Sequence, residues 1–182
     1  MAIITSIVRP PFPFTLFPYL ETYHAFLDRS FFWSEGRWWI ALGEEKVEIA
    51  QVVEKGEGRN PLLEITSESE GAAKELSSIL GFSEDPLPFY RLGEKDPVMS
   101  EIIEEFYGAR IPRSRSLFEA AVTTILEQQI SMKVASVLRK RLVEEWGPGP
   151  FYREGETIFA FPAPRDIAKI SPEELRGIGM SG

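Results

Sequence analysis

The chain shows two kinds of hydrophobic pattern, which change over near residue 112. The first part holds short runs of β-branched and aromatic residues, bounded by glycine, proline and acidic turns, as is typical of strands. These runs lie at 1–9, 37–42, 46–53 and 62–66. In the second part, apolar residues recur at the spacing of amphipathic helices. The pattern predicts an α+β fold: an antiparallel sheet with helices on one side, followed by a helical part.

Apolar residues at helical spacing also predict helices within the first part, at 16–27, 67–80 and 86–107. In the last of these, Asp96 before Pro97 is a candidate N-cap. The stripe expected to be buried there consists of Ile102, Ile103 and Phe106. We therefore predict two domains, a sheet domain over residues 1–112 and a partial, truncated helical domain over residues 113–182.

Alternation of apolar and polar residues over 46–53 predicts a sheet with one face in solvent. Aromatic residues are dense just before this strand, at Phe31, Phe32, Trp33, Trp38 and Trp39. Base stacking is one explanation for such a cluster, but core packing is the more common one. We expect most of these rings to lie in the core.

The most regular stretch, residues 116–146, predicts two helices joined by a turn at 128–131. Ser116 and Glu119 form a candidate capping box, and Ser131 is a candidate cap of the second helix. The apolar face of the first helix comprises Leu117, Phe118, Ala121, Val122, Ile125 and Leu126. That of the second comprises Val134, Ala135, Leu138, Leu142 and Trp146.

Two of the chain's three glutamines, Gln128 and Gln129, lie side by side in this turn. A polar turn between helices would explain them without any function. Alternatively, the two amides face a partner with a hydrogen-bonding edge, such as a nucleobase. Basic residues on the second helix favour this alternative, although solvated side chains are the usual role of surface lysines. They are Lys133, Arg139, Lys140 and Arg141.

Composition limits the chemistry that the chain can perform. Its 182 residues are 43% hydrophobic and 26% charged, as in ordinary globular proteins. It has no cysteine and one histidine, His24, which argues against thiol chemistry, a thiolate or histidine-rich metal site and a Ser-His-Asp triad. The lack of cysteine suits a cytoplasmic protein, and the scarcity of amides beside many charges is typical of a thermophile. The apolar start has no basic leader, so we expect neither a signal peptide nor a membrane span.

The charge is unevenly distributed along the chain. The net charge is −8, but residues 1–112 hold 10 basic and 19 acidic side chains, whereas residues 113–182 hold 10 and 9. The second part is thus nearly neutral, with its basic residues clustered. Contact with a polyanion would therefore be local rather than steered by the field of the whole molecule.

The segment IPRSRSLFEAAVTTILEQQIS, continued by a helix to Gly147, resembles the opening of the catalytic core in helix-hairpin-helix DNA glycosylases. The 3-methyladenine type is the most similar branch. The resemblance continues through Phe161-Pro162-Ala163-Pro164, Ser171-Pro172-Glu173-Glu174-Leu175 and Gly177-Ile178-Gly179. Departing from the family pattern, Glu127 stands where a glycine usually precedes the glutamines. By the same resemblance, the Gly177–Gly179 turn precedes the DNA-anchoring hairpin, and we interpret it as a helix C-cap.

The resemblance implies roles for particular residues. Gln129 would fill the gap that an extruded base leaves in the duplex, and Gln128 would touch that base. Further DNA contacts are expected from Ser131, Lys133, Arg113 and Arg115. The catalytic aspartate of the family is expected after Gly182, so the chain is expected to be C-terminally incomplete. We interpret Asp28, Asp85, Asp96 and Asp166 as caps or surface acids.

The sequence thus predicts a DNA base-excision repair N-glycosylase for a damaged, alkylated base, or an N-terminal piece of one. Its partner would be double-stranded DNA containing a damaged base, and the protein is expected to be a monomer without cofactor or metal. The alternative is a non-catalytic module that binds DNA or another protein through the same helices.

Overall fold

The computed structural model describes residues 3–16, 29–44, 46–56, 61–110 and 113–180. The strands are β1 Ile4–Val8, β2 Phe31–Ser34, β3 Arg37–Leu42, β4 Glu48–Lys55, β5 Leu62–Ser67, β6 Phe151–Arg153 and β7 Glu156–Ile158. The helices are α1 Gly71–Ile79, α2 Leu87–Gly93, α3 Pro97–Glu105, α4 Leu117–Leu126, α5 Met132–Trp146, α6 Pro164–Ile167 and α7 Pro172–Gly177. Apart from Leu16, the helix predicted over 16–27 lies outside the described residues, as do His24 and Asp28.

Five strands form one antiparallel sheet in the order β1-β5-β4-β3-β2. β2 and β3 are joined at Glu35-Gly36, where φ is 49° and 76°, as in the type I′ turns that favour hairpins. The predicted α+β class is confirmed. β2 was not predicted, because its aromatic residues are explained by core packing alone.

The central strands of this sheet are buried on both faces. On one face, Ala50 and Val52 of β4 pack in a core that includes Leu76 of α1. On the other face, Ile49 packs in a smaller cluster with Ile158 of β7. The expectation of a solvent-facing side for β4 was therefore wrong, because a later segment of the chain folds back over it. The aromatic residues are core as predicted: Trp38 and Phe32 are buried, and their neighbours are partly buried.

That later segment is the β6–β7 hairpin, a region predicted to be a loop. Its turn, Glu154-Gly155, again has two positive φ angles, 48° and 82°. The Glu154 carboxylate accepts hydrogen bonds from Arg37 Nη1 at 2.6 Å and from Trp39 Nε1 at 3.2 Å. The hairpin is thus fixed to β3 by polar contacts as well as by Ile158.

α2 and α3 form a pair at the edge of the described structure. The Asp96 carboxylate accepts from the backbone N–H groups of Val98 and Met99 at 2.9 and 3.1 Å, which confirms the predicted cap. The predicted burial of the α3 stripe was wrong for Ile102 and Phe106, which are 47% and 45% exposed, whereas Ile103 is partly buried. Within the described ranges, no helix is long and apolar enough to cross a membrane.

Candidate nucleic-acid interface

α4 and α5 form the predicted pair of helices, and each begins with a serine cap. Ser116 Oγ accepts from the Glu119 N–H at 3.1 Å, and Ser131 Oγ accepts from the Val134 N–H at 3.4 Å. The other contact of the predicted capping box, from the Ser116 backbone N–H to the Glu119 carboxylate, is not formed, so this part of the prediction was wrong. The Glu119 carboxylate turns into the protein and binds two arginines instead of the N-cap N–H.

The apolar faces of the two helices are only partly covered. On α4, Leu126 is buried, whereas Leu117 and Ile125 are 87% and 57% exposed. On α5, Ala135, Leu138 and Leu142 are buried as predicted, together with Val143. Val134 was placed on the wrong side, since it is 48% exposed. Because the contact between the helices is narrower than the apolar stripes, apolar side chains remain exposed on both sides of the connecting turn.

The turn between these helices presents both glutamines to solvent. Gln128 and Gln129 are exposed, and so are Glu127 and Ile130 beside them. The Gln128 N–H donates to the Ile125 carbonyl at 3.3 Å, which closes the last turn of α4. Gln129 has a φ of 59°, in the left-handed region that normally suits glycine or asparagine after a helix. For a residue with a Cβ this conformation costs about 1–2 kcal/mol.

Of the basic residues expected to contact DNA, Lys133 and Arg113 lie at the surface. Lys133 is exposed in the first turn of α5, two residues after the cap at Ser131. Arg113 is also exposed, and its guanidinium pairs with the Glu84 carboxylate. Because an exposed ion pair of this kind contributes about 0–1 kcal/mol, Arg113 can exchange this partner for a phosphate at little cost.

Arg115 and Arg139 are held inside the protein by Glu119. The Arg115 side chain is 10% exposed, and its Nε donates to Glu119 Oε2 at 3.0 Å. Its Nη1 donates to the Ala41 carbonyl of β3 at 2.6 Å. Arg139 donates from Nη2 to Glu119 Oε1 at 2.5 Å and also binds the Thr123 hydroxyl. Neither the inward position of these arginines nor their shared partner was anticipated from the sequence.

The electrostatic state of Glu119 follows from these contacts. Burial by itself would raise the pKa of the Glu119 carboxyl. The charges of Arg115 and Arg139 and their hydrogen bonds outweigh burial, and the pKa lies below its usual range. Glu119 is therefore an ionised group that is 6% exposed, and it is the one buried charged residue of the described ranges.

The C-terminal part of the described chain ends in a well-capped helix. The capping box at Ser171 and Glu174 is complete, and Gly179 has a φ of 104°. The Met180 N–H donates to the Leu175 carbonyl at 3.2 Å, as in a Schellman motif. The interpretation of this glycine turn as a C-cap is therefore confirmed.

The three aspartates within the described residues also have structural partners. Asp96 caps α3, Asp85 accepts from the Leu87 N–H at 3.0 Å at the start of α2, and Asp166 lies 3.5 Å from Lys169 Nζ. Over the described ranges, no group of three acidic or histidine side chains is arranged to hold a metal ion.

Residues 122–182 match the family model described as HhH-GPD superfamily base excision DNA repair protein. The chain is similar to a DNA-3-methyladenine glycosylase of Bacillus subtilis strain 168, with 34% identity over 97 residues. That alignment covers 53% of this chain and 32% of the relative, so the match spans about a third of the relative's length.

Two solved structures have the same fold. A 3-methyladenine DNA-glycosylase from Archaeoglobus fulgidus superposes with a TM-score of 0.76 at 22% identity, over 97% of this chain and 62% of that one. An 8-oxoguanine glycosylase/lyase of Clostridium acetobutylicum, in complex with double-stranded DNA, gives 0.70 at 18% identity, over 98% and 60%. The resemblance predicted from the sequence is therefore confirmed.

Proposed function

We propose that the protein removes a damaged, alkylated base from duplex DNA as an N-glycosylase, in keeping with the match of residues 122–182 to the HhH-GPD superfamily of base excision DNA repair proteins. This chemistry requires that the base leave the stack, that the resulting gap be filled, and that the cation-like sugar be stabilised. The residues described here serve the first two requirements.

The observation that carries this proposal is the conformation of Gln129. It is exposed at the tip of a turn between two packed helices, in a backbone conformation that costs free energy. Such strained positions persist where the surrounding structure imposes them, and they cluster at functional sites. In the proposed complex, Gln129 enters the duplex and fills the gap, while Gln128 contacts the extruded base.

Ser131, Lys133 and Arg113 supply the proposed contacts to the phosphate backbone. Lys133 lies in the first turn of α5, close to the glutamine turn, so it would bind the strand next to the extruded nucleotide. Arg115 is left out of this set, because its guanidinium is engaged by Glu119 and Ala41.

The choice of an alkylated base rests on similarity in sequence. The curated relative that is 34% identical is named a 3-methyladenine glycosylase, whereas the solved structures of 18–22% identity support only the fold. We accordingly propose 3-methyladenine as the first base to test, with 8-oxoguanine as the comparison. We also propose that the sheet domain ends near residue 112.

The proposal is tested by measuring the free base released from duplexes that contain one 3-methyladenine, one 8-oxoguanine or no lesion. We expect the full-length gene product to release 3-methyladenine and to leave the undamaged duplex intact. Tight, salt-dependent DNA binding without release of either base would favour a non-catalytic DNA-binding module instead. No DNA binding at all would favour a protein partner. The same assay on residues 1–182 alone tests whether the catalytic aspartate lies after Gly182.

A further inference from the structure

Glu119 connects three separate parts of the chain through its two carboxylate oxygens. Oε2 accepts from the Arg115 backbone N–H at 3.2 Å and from Arg115 Nε at 3.0 Å. Oε1 accepts from Arg139 Nη2 at 2.5 Å. Glu119 thereby joins the segment before α4, α4 itself and the middle of α5.

Each arginine extends this connection to a further element. Arg115 Nη1 reaches the Ala41 carbonyl at 2.6 Å, which ties the cluster to the central strand β3. The Arg139 guanidinium carbon lies 4.7 Å from the centre of the Phe161 ring, in the segment after β7. The ion cluster, defined as Arg115, Glu119 and Arg139, thus links the sheet to both helices that flank the glutamine turn.

The fully buried apolar contact between α4 and α5 is small. It consists of Leu126 from α4 and of Leu138 and Leu142 from α5. Hydrogen bonds to a buried carboxylate are directional, and small rotations break them. Arg139 lies eight residues after Ser131, about 12 Å along α5, so a rotation of α5 at Arg139 is carried to the turn.

We infer that Glu119 is a positioning residue for the glutamine turn, acting through Arg115 and Arg139 to set where Gln128 and Gln129 stand relative to the sheet. This inference rests on the proposed function for its consequence in catalysis, but not for its geometry. Buried ion clusters are often no more stabilising than apolar side chains of similar volume, which leaves geometric specificity as the role to test.

Two variants distinguish an effect on the position of the glutamine turn from an effect on the stability of the fold. Glu119→Gln keeps the shape of the side chain and removes its charge. The triple variant Arg115→Met, Glu119→Leu, Arg139→Met replaces the ion cluster with apolar side chains, and such replacements are often neutral or stabilising. The matched control is Glu144→Gln, which removes an exposed carboxylate of α5. That carboxylate pairs with Arg29 and Lys140.

The geometric measurement does not depend on activity. The chain has no cysteine, so spin labels can be attached at Glu70→Cys and Glu127→Cys without interference. Glu70 precedes α1 on the sheet side and Glu127 lies in the turn; both are exposed. We expect one narrow distribution of the distance between the two spin labels in the parent and in Glu144→Gln. A broadened or displaced distribution is expected in Glu119→Gln and in the triple variant.

The catalytic measurement is single-turnover release of 3-methyladenine at saturating DNA by the full-length gene product. For folded protein, we expect Glu119→Gln and the triple variant to lose about tenfold or more in rate, because small misplacements of a positioning group are costly. An unchanged distance distribution together with full excision by a stably folded triple variant would overturn the inference. If the parent releases no base, the proposed function fails, and the distance distributions still decide the inference.

Discussion

The guanidinium carbon of Arg139 lies 4.7 Å from the centre of the Phe161 ring. Arg139 comes from α5, the helix whose basic residues suggested contact with phosphates, yet its charge is directed into the protein. A cation over an aromatic face is stabilised by the ring quadrupole, and here Glu119 satisfies the same guanidinium from the other helix. Arg139 therefore holds the two helices and the Phe161 segment together.

Replacing Arg139 should consequently destabilise the fold. Arg139→Ala leaves the Glu119 carboxylate buried with one partner fewer, and we expect the free energy of unfolding to fall by about 3 kcal/mol. Urea denaturation measures this loss. The control Lys140→Ala, which removes an exposed pair with Glu144, should cost less than about 1 kcal/mol. Equal effects of the two substitutions would contradict the structural role of Arg139.

The contribution of Glu119 to stability should depend on pH. Its pKa in the folded state lies below the ordinary value of 4.5, so its contribution is fully present above pH 4.5. This contribution is lost as the pH falls through the lowered folded pKa, because the protonated carboxyl no longer attracts the arginines. The difference in unfolding free energy between the parent and Glu119→Gln should thus be constant from pH 7 to 5 and shrink below pH 4.5. A difference that grows on acidification would have the wrong sign.

Replacing Gln129 by glycine should raise the stability of the protein and lower its activity. Glycine adopts a positive φ without steric cost, so Gln129→Gly should raise the free energy of unfolding by up to about 1 kcal/mol. The same change removes the side chain proposed to enter the duplex, and base release should fall. Thermal unfolding and excision are measured on the same preparation. Gln128→Gly, at a position without a positive φ, is the control for the effect on stability. A fall in the free energy of unfolding in Gln129→Gly would show that the left-handed conformation of Gln129 does not lower the stability of this turn.

The salt dependence of DNA binding tests the phosphate contact at Lys133. In Lys133→Gln, the slope of log affinity against log salt should become shallower by about 0.9, since one fewer counterion is released. Lys140→Gln is the control, because Lys140 is not among the proposed contacts. Fluorescence anisotropy with an undamaged duplex gives both slopes. Equal slopes for the parent and Lys133→Gln would show that Lys133 does not contact a phosphate of the DNA.

Local signals in the sequence were sufficient for the helix caps and for most of the sheet. Ser116, Ser131 and Asp96 each bind backbone N–H groups two or three residues ahead, so their role is set by near neighbours. Strand residues such as Val52 lie in short apolar runs, which predicted the sheet. The β6–β7 hairpin was missed, because Glu154-Gly155 is not one of the Asn-Gly, Asp-Gly or Gly-Gly pairs that mark two-residue hairpin turns.

Features decided by distant parts of the chain were not predictable in this way. Glu119 fits a local capping box, but Arg139, which follows it by 20 residues, offers a stronger partner. Similarly, the periodicity of α5 allows either Val134 or Val143 on the buried side, and packing against neighbouring elements decides for Val143. The left-handed φ of Gln129 has no signature in the sequence, because glutamine does not favour it.

The most direct test of the central claim is the rate at which Gln129 variants of the full-length gene product release 3-methyladenine in a single turnover. If Gln129 fills the gap of the extruded base, Gln129→Ala should lower this rate by about tenfold or more, since unstacking costs a few kcal/mol. Gln129→Leu, which keeps the bulk without the amide, should retain much more activity, and neither change should alter stability by more than about 0.5 kcal/mol. Unaltered release per folded molecule by Gln129→Ala, accompanied by a large loss of stability, would contradict the account and make Gln129 a structural residue of the turn.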